Sequence, residues 1–313
     1  VAVIHPALRL LRCPVCAAPL DRPAGPAGPP GPGSAGLRCG GGHAFDVERS
    51  GYLNLRTGQA RRVTGDTAEM VQARVDFLGR GHYAPLTARL ARLAGLALAR
   101  PGGAGPAVAE AAEPELVLEI GAGTAHYLSA VVDARPRALG LAVDVSKPAL
   151  RRAARSHARV GAVAFDVARP WPLPDRSVDV LLDVFAPRNL PEMRRLLRPG
   201  GVLLLVTPGD DHLAELRGPL GLVGIHPGKR ARLAEELAGR FTRLSSETLT
   251  RTLRLGVDEL VELALMGPTG HHTGAAELRR RLEAVLPAGG TAMEVTASFV
   301  IDRAQGAAEL AVD

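Results

Sequence analysis

The chain contains three cysteines, and they fall together with one histidine in the pattern Cys13-x2-Cys16-x22-Cys39-x3-His43. Three thiolates and an imidazole form a Cys3His set, which suits tetrahedral Zn²⁺. The run of three glycines from Gly40 to Gly42 permits the tight turn that brings Cys39 and His43 onto one ion. The gap of 22 residues is no obstacle. Its extra length is the Pro/Gly-rich loop DRPAGPAGPPGPGSAG (21–36), and each doubling of a loop adds only about 0.6 kcal/mol of closure cost. No ligand position is left for a substrate, so a structural zinc is expected. The plainer alternative is three unrelated thiols and a surface histidine. Chance rarely gathers every cysteine of 313 residues into one short segment.

A second constellation begins at LVLEIGAGTAHY, where an apolar run breaks at Gly121-x-Gly123. Such a turn lets a nucleotide-like ligand approach the backbone at the carboxyl end of a strand. The dinucleotide fingerprint asks for a third glycine at 126, where His126 stands, and this counts against NAD. Glu119, just before the turn, can hold an amino group. Class I S-adenosylmethionine (SAM) methyltransferases use an acid there for the methionine end of SAM, and Gly121 and Gly123 would pass close to the same ligand. Asp144 closes the next apolar run 21 residues after Gly123, a good distance for ribose hydroxyls. Asp166 closes the third, where an adenine amino group would lie. Singly, each acid is as often a helix cap, and Ser146 and Pro148 mark a helix start after Asp144. The ordered series at three successive strand ends points to a SAM pocket.

These residues need strands and helices to position them. Apolar strands are expected at ELVLEI (115–120), ALGLAVDV (138–145), AVAFDV (162–167), VDVLLDVF (178–185) and GVLLLVTP (201–208). Helical stretches such as HYLSAVVDAR and KPALRRAARSHA lie between them. Continuous apolar strands alternating with helices predict an α/β fold, a parallel sheet covered on both faces. Upstream, residues 66–99 read as helical, with Asp66/Thr67 and Glu69 resembling a capping start. Leu86, Leu90, Leu93 and Ala97 form an apolar face that Leu96 is expected to widen. Residues 101–115 read as a linker. Helices at 257–267 and 274–286 and a strand near VTASFVIDR are expected toward the end, and no internal repeat is visible.

Composition narrows the class. Apolar residues make up 46%, enough for a large core, and no run of 18 apolar residues marks a membrane span. VAVIHPALRLLRC lacks the basic region and long apolar stretch of a secretory signal, so a reducing cytoplasm is expected. The formal net charge is +6, and Lys147 and Lys229 are the only lysines among 38 basic residues. That arginine bias, with abundant Ala, Gly and Pro, reflects a GC-rich genome. Arginine nonetheless also suits bidentate phosphate contacts. Residues 1–66 hold eight arginines against four acids, and 217–254 hold eight basic residues against three acids. Both segments could track a phosphate backbone.

Taken together, the motifs resemble the bacterial 23S rRNA (guanine-N1)-methyltransferases of the RlmA/TlrB type. The stretches that carry the resemblance are CPVC with C-x3-H-x-FD, GYLNL (51–55), GDTAEMVQAR-x-x-FL-x-x-GHY-x-PL (65–86), EIGAG, LAVDVSK-x-A, FAP (185–187), RLLRPGG and TPG-x-x-HL-x-EL-x-G (207–218). They span roughly residues 11–255. The resemblance implies a zinc-binding RNA-recognition module over 1–64, a helical connector over 65–100 that contributes to the SAM pocket, the linker over 101–115, and a Rossmann-like class I SAM-dependent methyltransferase domain over 116–313. It implies SAM contacts from Tyr83, Gly123, Thr124 and His212, 23S rRNA as the partner, and paired subunits in a homodimer cradling the RNA. Two departures stand out. The zinc loop is longer than is typical, and His126 replaces a frequent aromatic.

Guanine N1 is weakly nucleophilic while protonated, so its methylation needs the proton removed or the anion stabilised. N1 also lies on the pairing edge, which favours an unpaired base in a hairpin loop. The rim for that base is expected at Asp183-Val-Phe185-Ala-Pro187-Arg188. Phe185 would stack on guanine, Asp183 would serve as base or acceptor, and Arg188 would hold O6. The resemblance further implies methylation in a domain II loop of the peptide exit tunnel and, in antibiotic producers, self-resistance to mycinosylated macrolides such as tylosin and mycinamicin. Two rival readings are a SAM enzyme acting on a small molecule and a non-catalytic zinc-ribbon RNA-binding protein.

Overall fold

The computed structural model describes residues 4–21, 36–57, 64–98, 114–222, 228–286 and 290–307. Most of the Pro/Gly-rich loop and nearly all of the 101–115 linker fall outside these residues.

Near the N-terminus, β1 (Gly36–Arg38) and β2 (Ala44–Asp46) form an antiparallel pair, followed by the short β3 (Leu53–Asn54). The helical connector is two helices, α1 (Ala68–Gly79) and α2 (Ala84–Leu98), broken at Arg80–Tyr83. Thr67 caps α1, its hydroxyl accepting the Met70 N–H at 3.3 Å. Then come β4 (Glu115–Ile120), α3 (His126–Asp133), β5 (Ala138–Asp144), α4 (Lys147–Ala153), β6 (Val160–Ala164), β7 (Val178–Val184), α5 (Leu190–Leu196) and β8 (Leu197–Pro208). The chain ends with α6 (Ala214–Leu220), α7 (Lys229–Leu237), β9 (Phe241–Gly256), α8 (Val257–Leu265), α9 (Ala275–Val285) and β10 (Ala292–Gly306).

One sheet of eight strands unites the molecule in the order β3-β6-β5-β4-β7-β8-β10-β9. Its pairs are parallel except where β10 runs antiparallel to both β8 and β9. Strand order reverses at β4, with β5 on one side and β7 on the other. Open α/β sheets place their ligands in the crevice at the carboxyl ends of the strands at such a switch point. Every residue of β6 and β7 is buried, which explains why β6 reads as an unbroken apolar run and β7 as one broken only by Asp179 and Asp183.

The two faces are covered by different parts of the chain. Leu86 and Leu90 of α2, Leu128 and Val132 of α3 and Leu260 of α8 pack on one face. On the other, Leu190 and Met193 of α5 are joined by Leu8, Leu11, Cys13, Leu37 and Cys39 from the N-terminal segment. The metal-ligand region is thus part of the apolar layer over the sheet, and β3 extends that sheet by pairing Leu53 and Asn54 with Val163 and Ala164.

Several expectations need adjustment. Strand β6 stops at Ala164, so Asp166 lies two residues beyond its end. Leu96 is 55% exposed, because the buried face of α2 turns toward Ala94 and Leu98 instead. The strand β9 fell in a segment for which no strand was expected.

Candidate active site and metal centre

The four metal-ligand candidates converge. Cys13, Cys16, Cys39 and His43 present donor atoms that all lie within 4.8 Å of one another. Cys16 Sγ and Cys39 Sγ are 3.6 Å apart, and His43 Nδ1 stands 3.6 Å from Cys13 Sγ and 3.3 Å from Cys39 Sγ. A tetrahedron of about 2.3 Å Zn–S bonds has sulfur–sulfur edges of about 3.8 Å, so the set fits zinc without rearrangement. The Val15 N–H donates to Cys13 Sγ at 3.4 Å, which favours thiolate. Gly41 packs beside the set, where a methyl would make ordinary contact, 3.5 Å from Cys16 Sγ and 3.6 Å from His43 Nδ1. A structural zinc therefore has a complete set of protein ligands here.

The second constellation assembles around the turn after β4. Gly121 and Gly123 both adopt left-handed backbone, with φ of +58° and +54°. A methyl on Gly121 would come within 2.6 Å of Ala186 Cβ. The Gly123 N–H donates to Asp144 Oδ2 at 2.8 Å, and Asp144 Oδ1 accepts the Val145 and Ser146 N–H groups. Asp144 thus braces the turn from the end of β5, and burial raises its pKa. Asp166 is also nearly buried, its Oδ1 accepting the Ala168 N–H at 3.0 Å. Thr124 lies in the turn itself, almost buried.

Glu119 points inward with a single backbone donor, the Leu128 N–H at 3.1 Å. Burial, together with the nearby Asp144 and Asp183, pushes its pKa up to about 8, against the pull of that N–H and of Arg74. A buried acid with spare acceptor capacity is suited to an ammonium group. Tyr83 lies near Tyr127 of α3, its hydroxyl buried without a hydrogen-bond partner. A glycine cradle with a buried carboxylate that keeps spare acceptor capacity fits a polar, amino-bearing ligand such as SAM.

Aromatic rings link Tyr83 to the rim. Its ring meets Phe299 of β10 edge-on at 4.8 Å, and Phe299 meets His212 at 5.2 Å. His212 in turn stacks on Phe185, with centroids 6.1 Å apart and planes 26° from parallel. Burial lowers the His212 pKa to about 4, so the ring is neutral. Its Nδ1 faces the Ser298 N–H at 3.2 Å and accepts from it, which leaves the proton on Nε2. Phe185 is 42% exposed and holds a left-handed backbone at φ +57°, a strained state for a bulky residue.

Beneath it lies Asp183, fully buried at the end of β7. Its Oδ1 accepts the Ala186 N–H at 3.1 Å, while Oδ2 lies 3.4 Å from Arg188 Nε. The angle is wrong for a hydrogen bond, and both Oδ2 and Nε are buried without one. Burial pushes Asp183 up to about 7, although Arg188 and the Ala186 N–H pull it down. The three rim candidates thus meet at one place.

Sequence reasoning passed over Phe299, Asp66 and Arg74. Asp66 Oδ2 accepts from Arg74 Nη2 at 2.8 Å, and Arg74 lies across Gly123. Arg74 had a visible signal: it interrupts the stripe Met70, Ala73, Phe77 that α1 buries. Phe299 lay inside an apolar strand and offered none. His126, whose role the pattern left open, bonds Thr87 Oγ1 at 3.1 Å and ties α3 to α2.

A family profile described as a methyltransferase domain matches residues 117–201, which contain most of β4, the glycine turn and the rim. Relatives of similar length carry the likeness over most of the chain. A Micromonospora griseorubida protein assigned as a 23S rRNA (guanine-N(1)-)-methyltransferase is 50% identical over 90% of this chain and 94% of its own length. The 23S rRNA (guanine(748)-N(1))-methyltransferase of Streptomyces fradiae is 47% identical over 88% of this chain and 90% of its own. With such identity over nearly the full length of both relatives, the chain belongs to the 23S rRNA (guanine-N1)-methyltransferase family and is a SAM-dependent methyltransferase.

Proposed function

We propose that the protein methylates N1 of a guanine in a domain II hairpin loop of 23S rRNA, and that Asp183, Phe185 and Arg188 form the guanine site. The observation that carries this reading is the loose ion pair of Asp183 Oδ2 and Arg188 Nε, 3.4 Å apart with no hydrogen bond made by either atom. A guanine edge offers the N1–H donor next to the O6 acceptor, the complement of that carboxylate and guanidinium. Phe185, exposed above them and braced by His212, gives a face on which an unstacked base can lie. When bound, SAM supplies a methyl on a sulfonium. Glu119 would hold its amino end, Asp144 its ribose hydroxyls and Asp166 its adenine amino group. Gly121, Gly123 and Thr124 would line the turn, with Tyr83 and His212 closing the other side. Asp183, ionised, takes the N1 proton, while Arg188 steadies the negative charge that develops on O6.

The relatives' names support the rRNA substrate, and the Streptomyces fradiae name specifies guanine 748. A methyl on N1 of such a loop guanine adds bulk and removes a donor where mycinosylated macrolides such as tylosin and mycinamicin sit, so the reading extends to resistance. Exposed Arg230, Arg232, Arg243, Arg251 and Arg254 provide phosphate contacts outside the site. A homodimer cradling the RNA is part of the same reading.

The test is methylation of unmodified 23S rRNA with labelled SAM, followed by nuclease mapping and mass spectrometry. The expected product is 1-methylguanine at one loop position, accompanied by raised macrolide tolerance in an expressing host. Asp183→Asn is expected to cut kcat by about 10²- to 10⁴-fold with SAM affinity unchanged. Wild-type kcat is expected to rise with pH and level off above about 7, following Asp183 ionisation. Label that appears on small molecules but never on RNA would refute the substrate, and unchanged turnover in Asp183→Asn would remove it as the base.

A further inference from the structure

Arg74 occupies an unusual place. It projects from α1, a helix outside the segment 117–201 that the methyltransferase-domain profile covers, yet its side chain reaches the glycine turn. A methyl on Gly123 would lie 3.3 Å from Arg74 Cδ and 3.5 Å from Nε. Its Nη2 donates to Asp66 Oδ2 at 2.8 Å and to the Met266 carbonyl at 2.6 Å. These bonds fix the guanidinium from two sides, the strap before α1 and the end of α8. Its Nε–H is buried and donates to nothing. A purely structural arginine would have no reason to leave that donor unpaired while its stem lies along the backbone where a ligand is to be received.

Across the turn stands Glu119, fully buried, with a carboxylate oxygen on the Leu128 N–H. Arg74 is close enough to act on the charge of both Glu119 and Tyr127. A cation and an anion on the two sides of one glycine turn form the complement of an amino acid in its zwitterionic form. The acid matches the ammonium and the guanidinium matches the carboxylate.

We infer that Arg74 is the receptor for the carboxylate of the methionine end of SAM, and that with Glu119 it selects ligands carrying an intact amino-acid group. This rests on the reading of the cradle as the SAM site. Asp66 and the Met266 carbonyl hold the guanidinium through Nη2, which leaves the Nε–H for the carboxylate. Arg74 is a binding residue. It touches the end of the cofactor remote from the methyl group, so its loss acts through affinity rather than through the transfer step.

Two ligands separate this role from a structural one. S-adenosylhomocysteine carries the amino-acid group, and 5′-methylthioadenosine keeps the adenosine and sulfur but lacks it. Calorimetric titration of the full chain with each is expected to show that Arg74→Met weakens S-adenosylhomocysteine roughly 10- to 100-fold, the scale of a charge-assisted contact. Binding of 5′-methylthioadenosine is expected to stay within about twofold of wild type. Arg74→Lys, which keeps the charge but loses the fork, is expected to fall between. Arg74→Gln, neutral but still polar, is expected to show the same ligand-selective loss, and it decides the matter should Arg74→Met fail to fold. Equal losses for both ligands in Arg74→Met would overturn the proposal and leave the arginine a strap to α8. So would full S-adenosylhomocysteine affinity in Arg74→Gln. Wild-type protein binding neither ligand would instead bring down the cradle reading on which the proposal stands.

Discussion

Glu119 shows the tension between binding and stability most clearly. Its pKa in the folded chain is about 8 against an ordinary 4.5, raised chiefly by burial. Between those values the folded chain holds a proton that the unfolded chain has lost, so this residue's contribution to stability falls as pH rises through the window. Glu119→Gln removes the titration. The variant is expected to match wild type near pH 4.5 and to melt higher by about a few degrees at pH 8, while losing at least roughly tenfold in SAM affinity. A melting difference that stayed flat from pH 5 to 8 would show that no buried carboxylate is being relieved. Glu119 stood out as a candidate because an acid two residues before a glycine turn has a chemical reason to be there. Asp183 and Arg188 were also visible as candidates, being polar residues at and just beyond the end of a mostly apolar strand. Phe299 was not, since an aromatic residue in a buried strand looks the same whether it braces a site or fills a core.

At the scale of elements, the strap before α1 deserves comparison with the strands. Gly65 lies so close to the start of α4 that a methyl there would come within 2.7 Å of Ser146 N and Cα. Ser146 Oγ also donates to the Asp66 carbonyl at 2.7 Å. Backbone atoms cannot yield as a flexible side chain can. Gly65→Ala is therefore expected to lift the strap from the rim, lower the melting temperature and raise KM for SAM severalfold, with kcat for rRNA less affected. A calorimetric and kinetic profile identical to wild type would mean the strap has other room to move. The strands β4, β5 and β7 were legible because burial on both faces demands a mostly apolar run, with the acids set chiefly toward the ends. Strand β9 was missed because it lies at the sheet edge, where Thr248, Thr250 and Thr252 face solvent. Its alternating threonines were the available signal, with β-branched residues two apart around Leu249. Leu96 misled for the opposite reason, as an apolar residue just off the face that α2 buries.

For the whole molecule, the arrangement of layers matters most. Cys13 and Cys39 are buried in the same apolar cluster as Leu118 of β4 and Leu181 of β7. Losing the metal would loosen that layer and reach the sheet that carries the cradle. Chelation of the zinc is thus expected to lower the melting temperature in a single transition and to weaken SAM binding with it. Two separate transitions, with SAM affinity intact after chelation, would show instead that the metal segment is an independent appendage. The sequence made the metal set plain through its cysteine spacing. It could not reveal this layering, because nothing local in Leu8, Leu11 or Leu37 says which distant strand each will cover. Among the described residues no helix is long and apolar enough to cross a membrane.

The edge strand β3 has a consequence in time. Its partner is Val163–Ala164, so 110 residues of chain separate Leu53 from Val163. A ribosome adding about 5–20 residues per second needs roughly 6 to 20 s to produce that stretch. Through that interval the newborn metal segment waits with Leu53 and Leu55 uncovered, two side chains that the finished protein buries almost completely. Early capture of the ion, possible as soon as His43 has left the exit tunnel, would hold those leucines in a compact knot during the delay, so zinc supply is expected to govern the yield of soluble protein before it governs activity.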